Sequence, residues 1–183
     1  ILVVNPPFLP KFSRPQRSPA VTKSGTLYFP LFLAQAVAVL EADDFEVVFV
    51  DAPAAGLDLD AVVARAKAET PFLAVLDTST PSIDADVKAA AALKKALPGL
   101  FTVLVGPHAT ALAGKVLEDG RGAVNAVARR EYEATVLELA RLLAAGPATP
   151  ARLATVDGLS FLGQGSVVVH NPDRPFIEDL DAL

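Results

Sequence analysis

Residues 71–110 decide the fold, and they read PFLAVLDTSTPSIDADVKAAAALKKALPGLFTVLVGPHAT. Two continuous aliphatic runs, Phe72–Leu76 and Phe101–Val105, flank a helical pattern at Ile83–Leu97. Strands without alternating polar residues are typical of parallel sheets, which are buried on both faces. The stretch therefore predicts a βαβ unit, in which a helix crosses over between two parallel strands.

The same alternation extends from residue 1 to about residue 145. It predicts further strands at Ile1–Val4, Glu46–Val50 and Ala123–Ala128, and further helices at about Pro30–Ala42, Leu59–Glu69, Ala111–Glu118 and Glu133–Ala144. Asp58 and Ser82 each precede a predicted helix and suit its N-terminus. Because βαβ crossovers are right-handed, we expect a doubly wound α/β domain with a five-stranded, mostly parallel sheet of Rossmann-like or flavodoxin-like type.

The composition changes after residue 145. Gly146–Pro150 reads as a linker, and Gly158–Phe161 with Ser166–His170 reads as a β-hairpin around Gly163-Gln164-Gly165. The last residues, Ile177–Leu183, read as an extended acidic connection. We therefore expect a domain at residues 1–145 and an appendage at residues 146–183.

Composition excludes several classes of function. The 183 residues carry a net charge of −5 without a basic stripe, so a nucleic-acid partner is not expected. No charge-free run approaches the roughly 20 residues that span a bilayer, and no secretory leader opens the chain. A cytoplasmic protein without a transmembrane segment is therefore predicted. The absence of cysteine excludes a disulfide and a cysteine-ligated iron–sulfur cluster within this chain.

The loops after the strands of such a sheet converge on one crevice at its carboxyl edge. The first predicted strand is followed by Asn5-Pro6-Pro7 and then by an irregular stretch of about twenty residues, a length that is functional or disordered in compact domains. At its end Gly25 allows close backbone approach, while Thr26 and Tyr28 offer hydroxyl groups. A flexible arm around Lys11–Lys23 is the alternative interpretation.

Two later loops carry more polar groups. Asp77-Thr78-Ser79-Thr80-Pro81-Ser82 offers four hydroxyls and a carboxylate, where a plain capping loop needs only Ser82, so a polar ligand is favoured. Gly106-Pro107-His108-Ala109-Thr110 contains one of two histidines, and a lone loop histidine is more often structural than a metal ligand. Arg129-Arg130-Glu131-Tyr132-Glu133 precedes the last predicted helix.

Familiar catalytic motifs are absent from the sequence. The first βα turn reads Asn-Pro-Pro-Phe in place of G-x-G-x-x-G, and neither a P-loop nor a G-x-S-x-G elbow occurs. Neighbouring carboxylates such as Asp43-Asp44 read as solvated charges or helix caps. No catalytic residue is therefore predicted within this chain.

Taken in order, the motifs resemble the N-terminal cobalamin-binding domains of class B radical-SAM proteins, the family of cobalamin-dependent methyltransferases and of the anaerobic cyclase. Arg129–Glu133 resembles that family's Gly-Glu-x-Glu turn, although Arg130 stands where the family usually has Gly. The other matching segments are Asn5–Pro7, Gly25–Leu31, Asp51–Ala54, Gly106–Thr110, and the hairpin from Gly158 through Asn171-Pro172 to Asp179-Leu180.

The resemblance implies that this chain holds cobalamin base-off, without a histidine ligand to the metal. The Asp-x-His-x-x-Gly motif of methionine-synthase-type cobalamin domains is absent, which would leave His108 in the pocket wall. Thr78, Ser79 and Thr80 would bond to the nucleotide tail. The implied cofactor-binding residues are Asn5, Pro6, Pro7, Gly25, Thr26, Tyr28, Thr78, Ser79, Thr80, Gly106, Pro107, His108, Thr110, Arg130 and Glu131.

The resemblance also implies a larger parent enzyme. The family's Cys-x-x-x-Cys-x-x-Cys segment is absent here, so the [4Fe-4S] cluster and S-adenosylmethionine would belong to a radical-SAM domain in another part of the parent chain. The residues at 146–183 would lead toward that domain. This chain alone would be catalytically silent, and the parent would carry out methyl transfer or related radical chemistry.

Two alternatives remain open at the level of sequence. One is a non-catalytic α/β binding or docking module of flavodoxin-like or receiver-like type that does not bind cobalamin. A phosphorylation receiver needs clustered acids after its first strand and a lysine after its fifth, where this chain has Asn-Pro-Pro and Arg-Arg-Glu. The other is a domain that has lost its cofactor, as the bulky Arg130 would suggest.

Overall fold

Five adjacent parallel strands make up most of a seven-stranded sheet in a computed structural model of the chain, which describes residues 1–15 and 18–176. The sheet has the order β4-β1-β5-β6-β7-β8-β9, and β2 and β3 form a separate two-stranded hairpin. The strands are β1 Leu2–Asn5, β2 Phe12–Ser13, β3 Ala20–Val21, β4 Val48–Asp51, β5 Leu73–Asp77, β6 Phe101–Val105, β7 Ala126–Ala128, β8 Leu159–Leu162 and β9 Val168–His170. The predicted doubly wound α/β class is confirmed.

Four helices lie close to their predicted bounds, a fifth is divided, and the short helices at Ala52–Ala55 and Pro150–Leu153 were not predicted. The helices are α1 Leu31–Glu41, α2 Ala52–Ala55, α3 Leu59–Glu69, α4 Ile83–Ala96, α5 Pro107–Ala111, α6 Ala113–Asp119, α7 Glu133–Ala144 and α8 Pro150–Leu153. The helix predicted at Ala111–Glu118 is divided, because Leu112 leaves helical geometry at φ −128° and separates α5 from α6. No helix in the described ranges is long and apolar enough to cross a membrane.

Two apolar layers cover the two faces of the sheet. Val3, Val75 and Val103 belong to the layer shared with α1 and α7, whereas Leu76 and Leu104 belong to the layer shared with α3, α4 and α6. Successive strand residues point to opposite faces, so a strand covered on both sides must be apolar throughout. This arrangement explains the continuous aliphatic runs in the sequence.

The predicted C-terminal hairpin is part of the main sheet. β8 pairs antiparallel with β7, with Ala126 opposite Phe161 and Ala128 opposite Leu159, and β9 then pairs with β8. The sheet therefore has two strands more than the five predicted for the parallel unit. The connection expected at Ile177–Leu183, which includes Asp179-Leu180, lies outside the described residues.

Both predicted cap residues directly precede their helices, but only Asp58 makes a capping bond with its side chain. The Asp58 side chain accepts a hydrogen bond from the backbone N–H of Ala61 at 2.8 Å. Ser82 makes no capping bond to α4, because its hydroxyl donates to the Asp86 carboxylate at 2.7 Å. The Ser82 hydroxyl therefore bonds to a side chain and not to the backbone N–H that the local pattern predicted.

Arg129 attaches the hairpin to the end of β7. Its guanidinium donates to the carbonyl oxygens of Leu159 at 2.9 Å and Asn171 at 2.7 Å. It also donates to the Ser160 hydroxyl at 2.5 Å and to the Asp173 carboxylate at 2.8 Å. This buried side chain therefore satisfies backbone groups in both segments that follow the parallel unit.

Replacing Arg129 with methionine should lower the free energy of unfolding by about 3 kcal/mol, because two buried carbonyls and a hydroxyl lose a charged donor. Urea denaturation measures the change. Arg65→Met is the matched control, since the exposed Arg65–Glu69 pair at 3.0 Å should contribute no more than about 0.5 kcal/mol. Equal effects of the two substitutions would contradict this account of the hairpin.

Candidate functional site

A crevice of about 490 Å³ opens at the carboxyl edge of the sheet, a volume within the usual range for small-molecule sites. Asp77, Thr78 and Gly106 line it from the ends of β5 and β6. The ranges 30–33 and 130–133 line it from the starts of α1 and α7. The crevice lies where ligands bind in open parallel sheets, as the sequence predicted.

Six of the predicted binding residues meet in this crevice. Thr78, Gly106, Pro107 and Thr110 follow β5 and β6, and Arg130 and Glu131 follow β7. Two of the hydroxyls already have partners, because Thr78 donates to the Val105 carbonyl at 2.7 Å and Thr110 accepts from the backbone N–H of Arg130 at 2.9 Å. These hydroxyls therefore hold the loops together beside the crevice.

The remaining predicted residues do not line the crevice in the described structure. Asn5 and Ser79 are buried among other polar side chains, and Pro7 lines a separate open groove. The Pro6 carbonyl accepts a hydrogen bond from a buried arginine. Gly25, Thr26 and the exposed Tyr28 lie on the first loop. Thr80 and His108 form a hydrogen bond with each other, with 3.1 Å between Oγ1 and Nδ1.

Gly106 is required by its surroundings. Its φ of +100° lies in the region that side chains rarely adopt. A Cβ atom there would lie 2.6 Å from the Thr78 carbonyl oxygen and 2.7 Å from Oδ1 of Asp77. The backbone after β6 therefore passes directly against the turn after β5, and this contact forms part of the crevice lining.

Arg14 is the central residue of a buried polar network that sequence reasoning missed. It is 3% exposed, and its guanidinium donates to the Asn5 side-chain oxygen, to the Pro6 carbonyl at 2.9 Å and to the Asp86 carboxylate at 2.7 Å. A further bond of 3.3 Å reaches the Ser82 hydroxyl. The sequence offered little indication of this network, because Arg14 lies in a loop without a motif and Asp86 resembles an ordinary carboxylate in the first turn of a helix.

Burial controls the titration of two carboxyl groups near Arg14. It raises the pKa of Asp86 to about 6, although Arg14 opposes that change. It also raises the pKa of Asp77 to about 7, and there Arg14 lowers the value while the Asp86 charge raises it. The crevice thus contains an acid whose charge changes near neutral pH.

Two more residues without a predicted role line the crevice at the start of α7. Burial raises the pKa of Tyr132 well above its usual range, and burial also raises that of Glu133. Glu133 is 3% exposed, and its Oε2 is the one buried side-chain polar atom without a hydrogen-bond partner in residues 1–15 and 18–176. The sequence signal for Glu133 was its place in the Gly-Glu-x-Glu-like turn.

Arg130 adopts a backbone conformation that suits glycine. Its φ is +62°, in the left-handed region. The guanidinium pairs with Asp173 at 2.7 Å and lies over the ring of Phe176, 5.5 Å from its centre. The side chain is therefore engaged with the segment that follows β9.

The described residues contain no group of three or more His, Asp or Glu side chains that could hold a metal ion. The fold and the crevice define a doubly wound α/β domain with an open cavity at the carboxyl edge of its sheet. A sequence model of the B12 binding domain matches residues 17–140, more than half of the chain. The chain belongs to the B12-binding domain family, which confirms the cobalamin resemblance seen in the sequence.

Solved structures support the same fold. The cobalamin-dependent S-adenosylmethionine radical enzyme OxsB, with aqua-cobalamin and S-adenosylmethionine bound, aligns with a TM-score of 0.75 at 13% identity. Its apo, selenomethionine-labelled form aligns with a TM-score of 0.70 at 14% identity. Each alignment covers 96% of this chain and 22% of the OxsB chain. A comparison with curated proteins found no match.

Replacing Arg14 with methionine should lower the free energy of unfolding by about 3–5 kcal/mol, because Asp86 and Asn5 would remain buried without their partner. The double variant Arg14→Met/Asp86→Leu should recover much of this loss, since it removes both charges. Urea denaturation of the wild type and both variants tests the pair. A double variant less stable than the single one would contradict the network.

Replacing Asp77 with asparagine should stabilise the protein increasingly as pH rises. The folded pKa of about 7 exceeds the ordinary 3.8, so the folded state binds more protons between these values and wild-type stability falls through that window. Asparagine does not titrate. We expect its advantage to grow by about 2 kcal/mol from pH 4 to pH 7, less than the full shift implies because water in the crevice screens the charge.

Urea denaturation at several pH values follows this difference. The matched control is Asp84→Asn, which removes an exposed carboxylate from the first turn of α4 and takes away no buried acid. If the advantage of Asp77→Asn were the same at pH 4 and pH 7, the crevice carboxyl would not be the buried acid described here.

Proposed function

We propose that this chain binds cobalamin in the crevice, with the cofactor base-off and no histidine bound to the metal. The observation that carries the proposal is the crevice itself, since a chain of the B12-binding family has its mostly apolar cavity at the carboxyl edge of the sheet. Thr78, Gly106, Pro107, Thr110 and Glu131 are the predicted residues that would hold the cofactor there, and Arg130 would stand at the rim.

The lining fits such a ligand. Corrin is a broad, mostly apolar disc with neutral amide arms and one narrow nucleotide tail. Pro30, Leu31 and Phe32 supply an apolar wall, and Gly106 allows the backbone to approach a ligand closely. The buried Oε2 of Glu133, unpartnered in the described part of the chain, can bond to a polar group that enters. A cavity of this kind would hold the nucleotide tail inside it and the corrin disc at its opening.

The placement of both histidines supports binding without a histidine ligand. His108 bonds to Thr80 at 3.1 Å, and His170 bonds to Ser160 at 2.8 Å in the hairpin. Neither belongs to the described lining of the crevice. Withholding a strong lower ligand favours a reduced, nucleophilic metal when cobalamin is bound.

We further propose that the chain serves as the cobalamin domain of a larger cytoplasmic radical-SAM enzyme. This rests on the sequence motifs and on the likeness to OxsB, in which the aligned part is 22% of the chain. A radical-SAM domain of the same parent would supply the [4Fe-4S] cluster and S-adenosylmethionine. Cobalamin would there supply methyl transfer or related radical chemistry. The parallel unit would end near residue 145, and the hairpin, which continues its sheet, would lead toward that domain.

Titration of the purified chain with hydroxocobalamin, followed by visible absorption, should show saturable binding with a base-off spectrum. His108→Ala should give the same spectrum, since the side chain would not bind the metal. Arg130→Gly should bind at least as tightly, because glycine relieves the φ of +62° and removes a large side chain from the rim.

Two results would overturn the proposal. A spectrum of histidine-bound cobalt that disappears in His108→Ala would contradict binding without a histidine ligand. Absence of any spectral change in the wild type and in Arg130→Gly would favour a docking module or a domain that has lost its cofactor.

A further inference from the structure

Glu133 is the crevice residue with one buried carboxylate oxygen, Oε2, that lacks a hydrogen bond in the described residues. It begins α7, a helix of 12 residues, and lines the crevice although it is only 3% exposed. Its carboxylate accepts from its own backbone N–H, and burial raises its pKa. Within the described residues Oε2 has no partner at all.

A buried carboxyl oxygen without a hydrogen bond loses the favourable hydration it would have in water and gains no bond in exchange. The nearby Asp86 carboxylate shows the usual solution, because it accepts from Arg14 and from Ser82 at 2.7 Å each. Removing Glu133 would cost the fold no bond through Oε2, so this oxygen is available to bond to a ligand.

The surroundings of Glu133 select the kind of ligand group. Glu131 raises its pKa through charge repulsion, and Asp77 and Tyr132 line the same crevice. Arg14 and Arg130, the cations of the lining, are paired with Asp86 and Asp173. An anionic group such as a phosphate is therefore disfavoured beside Oε2, whereas a hydroxyl can donate to a carboxylate or accept from a carboxylic acid.

The shape of the crevice selects the part of the ligand. The corrin disc with its arms is too broad for a cavity of about 490 Å³, and the nucleotide tail is narrow. The terminal bond of a glutamate side chain turns easily, since such sp³–sp² torsions have broad minima, so either oxygen can face an entering group. The hydroxyls of the tail are those of its ribose.

We infer that Glu133 forms a hydrogen bond to a ribose hydroxyl of the cobalamin nucleotide tail and thereby selects the complete cofactor over forms that lack the tail. This inference rests on the proposed cobalamin function. Glu133 is thus a specificity-determining residue of this chain, although it was not among the cofactor-binding residues that the resemblance implied.

The test compares cobalamin with cobinamide, which has the corrin ring but lacks the nucleotide. Both ligands are titrated into the wild type, Glu133→Leu and Glu133→Gln, with visible absorption as the readout. We expect Glu133→Leu to weaken cobalamin binding about tenfold and to leave cobinamide binding within about twofold, because only one ligand carries the hydroxyl. Glu133→Gln should retain most of the affinity, since its amide still bonds to a hydroxyl.

Two controls separate this role from a structural one. Glu118→Leu, at an exposed position on α6, should change neither affinity. The unliganded Glu133→Leu protein should melt at or above the wild-type temperature, because it no longer buries an unpartnered oxygen. Glu133→Met repeats the titration with an unbranched side chain if leucine disturbs the packing of α7.

The remaining outcomes are distinguishable. Equal weakening for both ligands would place Glu133 against the corrin and overturn the inference, and unchanged binding of both would also overturn it. A wild-type protein that binds neither ligand would refute the proposed function itself, and the inference with it.

Discussion

The buried Arg14–Asp86 pair is the interaction on which the site depends. A guanidinium removed from water is tolerated only when charged and polar partners surround it, so the first loop must bring Arg14 to the network formed by Asn5, Ser82 and Asp86. The loop after β1 is thereby held across the ends of the strands. Arg14 also lines the crevice and lowers the pKa of Asp77, so one side chain sets both the shape and the charge of the cavity.

The crevice differs chemically from the phosphate sites of related sheet architectures. Those sites place a glycine-rich turn and a free helix N-terminus against an anion. Here α7 begins with the buried acid Glu133, and Asp77 lies at the end of β5 within the same cavity. Both acids have raised pKa values because burial disfavours their charge. This environment suits neutral amide and hydroxyl groups attached to a large apolar ligand.

The C-terminal segment is connected to the same site. Asp173 pairs with Arg129 at 2.8 Å and with Arg130 at 2.7 Å, so it joins the end of β7 to the residues after β9. Arg130 retains a left-handed φ at a position where the resembling family has glycine. The turn is therefore left-handed, and its side chain contacts Asp173 and Phe176 of the segment after β9. Two consecutive arginines thus serve the two regions, because Arg129 attaches the hairpin and Arg130 lines the cavity.

The sequence by itself determined the five parallel strands, most helix bounds, the edge of the sheet at which the crevice opens and the order of motifs that led to cobalamin. These features depend on local periodicity and on glycine at one turn, which short stretches encode. Tertiary structure alone decided the addition of β8 and β9 to the sheet, the loss of the Ser82 cap and the burial of Asn5 and Ser79. It also brought Arg14 to Asp86, 72 positions apart, and left Glu133 without a partner in the described chain. The physical reason is that charge pairing and desolvation depend on which distant groups the fold brings together, and no local pattern records them.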